Sequence, residues 1–222
     1  MSKITLYGLE ASPPTRSCLL VLKALELPYD FVQVNLLAGE QLQPEFLQKN
    51  PQHTVPVVED DDACIWDSHA ILAYLVGKYG TTDALYPKDY AQSAIVDQRL
   101  HYDSGTMFTC TLRALTRPIL FLGETVIVQS KIDAVVEVYD SVETFLGDND
   151  YVAGPELTIA DFSYITTICS LMVFVEPDAS KYPKINAWLE RMKELPYYEE
   201  ANGVGAAQFE AMLKSKNFTI EA

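Results

Sequence analysis

The chain has 222 residues, 49% of them hydrophobic, which is enough for a substantial core and too many for a disordered chain. Its 16 Lys and Arg face 31 Asp and Glu, and the net charge of −15 sets aside nucleic acid and anionic membrane as partners. Cys18, Cys64, Cys110 and Cys169 are far apart, with no CxxC and no Cys/His cluster, so neither a disulfide framework nor a metal site is expected.

The opening MSKITLYGLE has no apolar signal region, and no run is long enough to span a bilayer. A reducing, cytoplasmic home is the expectation, and Asn217-Phe218-Thr219 is then a chance sequon. Residues 3–9 read as a strand, 15–27 as a helix by the spacing of their apolar positions, and 29–36 as a second, alternating strand. Residues 43–50 suit a short helix ending before Pro51. Strands at 55–60 and 64–67 flank Asp60-Asp61-Asp62, a hairpin signal. Residues 68–80 read as a helix with Ser68 at the N-cap and Gly80 at its end. This mixed α/β unit occupies 1–80, and a polar segment with Pro87 makes 81–90 a linker. Beyond it the strand signals vanish. Helices are expected at 91–120, 125–146, 158–175, 184–195 and 205–215, so 91–222 reads as a second, all-α domain.

One helix start is strongly specified. LTIADF (157–162) places Thr158 at the N-cap and Asp161 at N3, a capping box with Asp in place of Glu. Leu157 and Phe162 occupy the hydrophobic-staple positions. These residues read as a stability device and not as part of a reactive site.

LEASPPTRS (9–17) raises a different question, because Ser12 lies between the first strand and the first helix, before two prolines. Proline costs nothing in a first helical turn, where its missing N–H would have no partner. Ser12 can cap that helix. It can serve as a nucleophile, but that needs a neighbouring base, and the flanking sequence has neither a histidine nor a GxSxG. It can also donate a hydrogen bond to an anion at a helix N-terminus, where the dipole favours the same charge.

NPQHTVPVVEDDDACIWDSHAILAYL (50–75), with ASPPTR, LYPKD and LTIADF, resembles the cytosolic glutathione transferases over essentially the whole chain. The detail is most similar to the insect epsilon class, with the delta class next. The resemblance implies a thioredoxin-like first domain that binds glutathione and an all-α second domain, in a two-fold homodimer. It implies that Ser12 activates the glutathione thiol and that Val55-Pro56 is a cis turn. The Val55 backbone would then pair with the tripeptide as a strand does. Ser68 and its helix N-terminus would hold the γ-glutamyl carboxylate, and Asp67 would accept from the ammonium. His53, beside Thr54, would contact the glycyl carboxylate. Two positions depart from the family pattern. Gln41 stands where a second histidine is common, which implies weaker binding, and Asp67 stands where Glu is more frequent.

On the expected helix 91–120, Phe108, Leu112, Arg113, Thr116 and Leu120 share one flank. By the resemblance this flank lines an electrophile pocket, with Leu36 approaching from the first domain and Phe209 closing it. Thr116, in place of a larger aromatic, implies a roomier pocket. No metal is implied. The activity implied is conjugation of glutathione to small hydrophobic electrophiles, for detoxification. Other glutathione-dependent chemistry (peroxidase, isomerase, dehydrochlorinase), a non-catalytic carrier and a serine hydrolase are the alternatives. Replacing Thr158 with Ala is expected to lower stability by about 1 kcal/mol, read from the denaturation midpoint.

Overall fold

The computed structural model describes residues 4–221. Strand β1 (Ile4–Gly8) buries alternate residues, as its sequence alternation requires. It pairs in parallel with β2 (Tyr29–Gln33) and antiparallel with β3 (Val57–Asp60), which pairs with β4 (Ala63–Trp66). The sheet order is β2-β1-β3-β4. β2 stops earlier than the alternation of 29–36 suggests. The Asn35 N–H turns to the Glu40 carboxylate at 2.6 Å, and the Asn35 side chain accepts from the Ala38 N–H at 3.1 Å. These local bonds replace a strand ladder with a turn.

Helix α1 (Pro13–Ala24) crosses from β1 to β2, and α2 (Pro44–Lys49) is the short helix expected before Pro51. The hairpin is present, but Asp60 is not one of its solvated turn residues. It is 1% exposed, and its carboxylate accepts from Tyr74, Tyr79 and Lys78, each at 2.7–2.8 Å. Asp60 therefore ties β3 to α3 (Ser68–Tyr79), and Asp61, at φ +53°, makes the turn.

Residues 80–89 form turns and bends, with the Leu85 carbonyl accepting from the Ile159 N–H at 2.9 Å. The helix expected at 91–120 runs as three joined pieces: α4 (Tyr90–Tyr102), a wide π-helical stretch (Asp103–Leu112) and α5 (Arg113–Phe121). Helices α6 (Gln129–Leu146), α7 (Ile159–Leu171), α8 (Pro183–Lys193) and α9 (Val204–Lys214) follow. This region is not purely helical. β5 (Val126–Ile127) pairs in parallel with β6 (Thr219–Ile220), pieces too short to show an alternation. Among the described residues no helix is long and apolar enough to cross a membrane.

Helix α7 is buried at every position from Ile159 to Ile168 and again at Ser170 and Leu171, so it sits at the centre of the helical layer. α1 packs along it. Arg16, fully buried on α1, reaches across to the Thr166 carbonyl (3.2 Å), the Ser170 hydroxyl (2.6 Å) and Asn202 Oδ1 (2.5 Å). Gly205 at the start of α9 lies so close that a Cβ there would meet Glu10 O at 2.3 Å and Arg16 Cδ at 2.7 Å. The turn leading into α1 is thus clamped from behind.

The capping box is present. Asp161 is fully buried and accepts from the Thr158 N–H (2.9 Å), the Thr158 hydroxyl (3.1 Å), the Val152 N–H (2.9 Å) and Trp188 Nε1 (3.0 Å). Burial pushes its carboxyl up to about 6, and the four donors hold it back from rising further. An acid with a raised folded-state pKa binds its proton more tightly when folded, so its contribution to stability rises as the pH falls through that value. Between pH 7 and 5 the stability of the parent should gain on that of Asp161→Asn by on the order of 1 kcal/mol, measured by urea unfolding at each pH. A gap that shrinks over that range would contradict the assignment.

Candidate functional site

All the residues named from the sequence, Ser12 and the binding and electrophile-pocket sets, line one cleft of about 560 Å³ between the sheet layer and the helices. Ser12 enters it from the turn between β1 and α1. Its N–H donates to Leu9 O at 2.8 Å, and its carbonyl accepts the Arg16 N–H at 3.0 Å, so the backbone is committed. The hydroxyl is not. It makes no capping bond, which removes the simplest reading of Ser12 as a helix cap. Pro13 and Pro14 lack N–H groups, so this helix start presents a hydroxyl where most present amides.

The floor of the cleft is the 50–56 loop. Asn50, fully buried, donates to the Thr54 carbonyl and hydroxyl at 2.9 Å and accepts from the Gln52 N–H at 2.8 Å. That frame holds His53 in the left-handed region at φ +49°. The Val55–Pro56 bond is cis, and among the described residues neither the N–H nor the C=O of Val55 pairs with another backbone group. Gln41 turns its amide Nε2 to the Leu36 carbonyl at 3.4 Å, while its Oε1 is buried without a partner.

The start of α3 differs from the sequence expectation. The N-cap is Asp67, not Ser68: Asp67 Oδ1 accepts from the His69 and Ala70 N–H groups at 3.0 and 3.3 Å, with the backbone at φ +72°. Aspartate is as good a cap as serine, and the residue order alone does not choose between them. Ser68 becomes the first helical residue, with its hydroxyl free of capping work. Asp67 uses one oxygen for the cap and keeps the other free.

The opposite wall is the π-helical stretch and α5. Phe108, Leu112, Leu120 and Phe209 are apolar lining. Thr116, 8% exposed, returns its hydroxyl to the Leu112 carbonyl at 2.9 Å and so leaves its methyl group for lining.

Several lining residues have no short-range sequence signal, including Gln52, Ser104, Thr109 and Arg117. The largest omission is a cluster. His69 Nε2 lies 3.0 Å from Asp103 Oδ2 and 2.7 Å from Ser163 Oγ, and the Ser163 hydroxyl donates to the same Asp103 oxygen at 2.5 Å. These residues come from α3, the π-helical stretch and α7, so only the fold brings them together. The trio is not a hydrolytic relay. In a relay, the carboxylate orients one ring nitrogen while the other receives the serine proton. Here a single ring nitrogen meets both groups, and the serine proton is committed to the carboxylate. Among the described residues no histidine hydrogen-bonds Ser12. The second oxygen of Asp103 is buried and has no hydrogen-bond partner among the described residues.

Two family descriptions match: glutathione S-transferase, N-terminal domain, over residues 2–77, and glutathione S-transferase, C-terminal domain, over residues 124–196. The chain belongs to the glutathione S-transferase family. It is 45% identical to glutathione S-transferase 1 of Manduca sexta over 96% of this chain and 98% of that protein. Among solved structures, an epsilon-class transferase of the housefly, Musca domestica, is 55% identical, with a TM-score of 0.97 over 98% of this chain and 100% of that one. A glutathione transferase homologue of Drosophila mojavensis with bound glutathione is 57% identical, with a TM-score of 0.97 over 99% of this chain and 100% of that one. Delta-class structures stand further off. The fold expectation, a thioredoxin-like mixed sheet followed by a helical region, is that of the family.

The cap assignment has a direct check in this transferase. Asp67→Ala should cost about 1 kcal/mol of stability, and Asp67→Asn much less, because an amide oxygen also caps. Equal losses in the two variants, by thermal or urea unfolding, would show that the cap does not matter.

Proposed function

We propose that this transferase conjugates the thiolate of glutathione to small hydrophobic electrophiles, with Ser12 as the catalytic residue. The observation that carries the reading is the Ser12 hydroxyl, uncommitted at a helix N-terminus and facing a cleft with one polar wall and one apolar wall. His53, Gln41, Thr54, Val55, Asp67 and Ser68 hold the tripeptide on the polar side. The glycyl carboxylate goes to His53. The γ-glutamyl carboxylate goes to Ser68 and the N-terminus of α3, and its ammonium to the free oxygen of Asp67. The Val55 backbone pairs with the cysteinyl unit. Gln41, already turned to Leu36, adds little charge complementarity.

The energetics suffice without a base or a metal. A free thiol with a pKa of about 8.5 is roughly 3% ionised at pH 7. Lowering the pKa by about two units makes it roughly 75% ionised, which requires about 2.7 kcal/mol of differential stabilisation. One hydrogen bond to a charged group supplies about 1.5–3 kcal/mol, and a helix terminus about 0.3–1. Because Pro13 and Pro14 remove two amides from this terminus, most of the stabilisation falls to the hydroxyl. The thiolate sulfur then bonds to the electrophilic carbon. In substitution, the bond to the leaving group breaks and its electron pair departs with the halide. The apolar wall of Phe108, Leu112, Leu120 and Phe209, with Leu36 opposite, holds that carbon beside the sulfur. The proposal extends to a homodimer, a cytoplasmic setting and a detoxifying role, all on the family likeness.

With 1-chloro-2,4-dinitrobenzene and glutathione, the protein should show a glutathione-saturable rate that falls roughly a hundredfold or more in Ser12→Ala, about 2.7 kcal/mol of lost transition-state stabilisation. Equal rates would transfer the thiolate to another donor. Bound glutathione with no turnover in either protein would favour a carrier, and ester hydrolysis without glutathione would favour a hydrolase.

A further inference from the structure

Arg113 and Arg117 stand one turn apart on α5 and both line the cleft. Neither guanidinium makes a hydrogen bond or an ion pair among the described residues, although both side chains are exposed. The other three arginines are all engaged: Arg16 within the core, Arg99 with the Val152 carbonyl and Gln98, and Arg191 with Asp150. Among the described residues that line the cleft, none pairs with either guanidinium. The acids lining the cleft are Asp67, which caps α3, and Asp103, which is held by His69 and Ser163. In a chain of net charge −15, two adjacent uncompensated cations on a pocket wall form a local reversal of the field. The wall between them offers no competing donor, since the Thr116 hydroxyl is turned back to Leu112.

We infer that Arg113 and Arg117 form an anion subsite, and that the electrophiles this enzyme prefers carry a carboxylate at the end away from the reactive carbon. The inference rests on the proposed transferase reading and narrows its substrate class. A planar guanidinium matches a carboxylate in two-point geometry, and two of them on adjacent turns span both faces of one anion. A flanking apolar wall lowers the local dielectric and strengthens the attraction beyond that of a fully solvated pair. The carboxylate takes no part in bond making. The thiolate displaces chloride at the far carbon, while the acid group fixes the orientation of the ring.

The test uses 4-chloro-3,5-dinitrobenzoate and its methyl ester, which differ opposite the leaving group by the carboxylate charge and one methyl group. For each, kcat/KM with glutathione is divided by the uncatalysed rate. The acid-to-ester ratio should exceed one. It should fall about five- to tenfold in Arg113→Gln/Arg117→Gln and be partly restored in the double Lys variant. It should also decline as salt rises from about 0.05 to 0.5 M, as exposed charge attraction does. A ratio unchanged by the double substitution would overturn the subsite. A second measurement needs no turnover: calorimetric binding of 3,5-dinitrobenzoate against its methyl ester in the presence of glutathione. Equal affinities would overturn the anion subsite on their own. Tighter acid binding without conjugation of either chloro compound would keep the subsite and defeat the transferase reading instead.

Discussion

The position of the Ser12 hydroxyl depends on a buried guanidinium four residues away. Arg16 has no carboxylate partner among the described residues. Its charge is met by a carbonyl, a hydroxyl and an amide oxygen from α7 and from Asn202, and Nε is left without an acceptor. Burial lowers its pKa to about 10, so it remains a cation at neutral pH. Hydrogen bonds to a charged group are worth about 1.5–3 kcal/mol each, and a charge left unpaired in the core costs more than that. The guanidinium therefore has one acceptable place, and α1 is held against α7 in a single register. The Ser12 turn lies at the near end of that helix, one turn from the anchor. Gly205 lets α9 close over the same turn, because any side chain there would strike Glu10 or Arg16.

Helix α7 serves the opposite end of the cleft in a similar way. Ser163, on the same helix that receives Arg16, joins Asp103 and His69, and His69 follows directly after Ser68. One buried helix thus fixes both the turn that presents the Ser12 hydroxyl and the helix start that presents the Ser68 hydroxyl to the cleft. The two ends of the polar wall belong to different elements of the sheet layer, and their separation is set from the helical layer. The Asp161 box, which starts α7 and is tied to Trp188 and Val152, is remote from the chemistry but determines where this ruler begins.

The sequence disclosed the fold wherever a local rule decides it. The alternation of β1, the capping box at Thr158 and the proline-bounded α2 appear where their patterns place them, whereas α1 runs from Pro13 to Ala24, beginning two residues before and ending three residues before the bounds that the apolar spacing of 15–27 suggests. The errors have physical causes. Ser68 and Asp67 are adjacent good caps, and only the backbone at φ +72° selects Asp67. Asp60 looked like a turn residue because its partners, Tyr74, Lys78 and Tyr79, lie on the next helix. The π-helical stretch has no compositional signature, and β5 and β6 are two residues long. For the site, the residues that the family resemblance implied all line the cleft. Motif spacing could not find His69, Asp103 and Ser163, whose meeting is purely tertiary, nor show that Arg113 and Arg117 lack partners.

The cleft holds the ingredients of two chemistries, and geometry separates them. Serine, histidine and aspartate are all present, yet the serine that meets the histidine gives its proton to the carboxylate, and the uncommitted serine has no histidine bonded to it. A nucleophilic serine needs a base to take its proton, whereas a serine that stabilises a thiolate must keep it. The surroundings of Ser12 suit the second task, the one proposed for it. Its backbone is tied on both sides, its neighbours Pro13 and Pro14 carry no competing amides, and among the described residues no base is bonded to it. In the proposed reaction the nucleophile arrives with the ligand, so the protein needs only to hold a proton donor still.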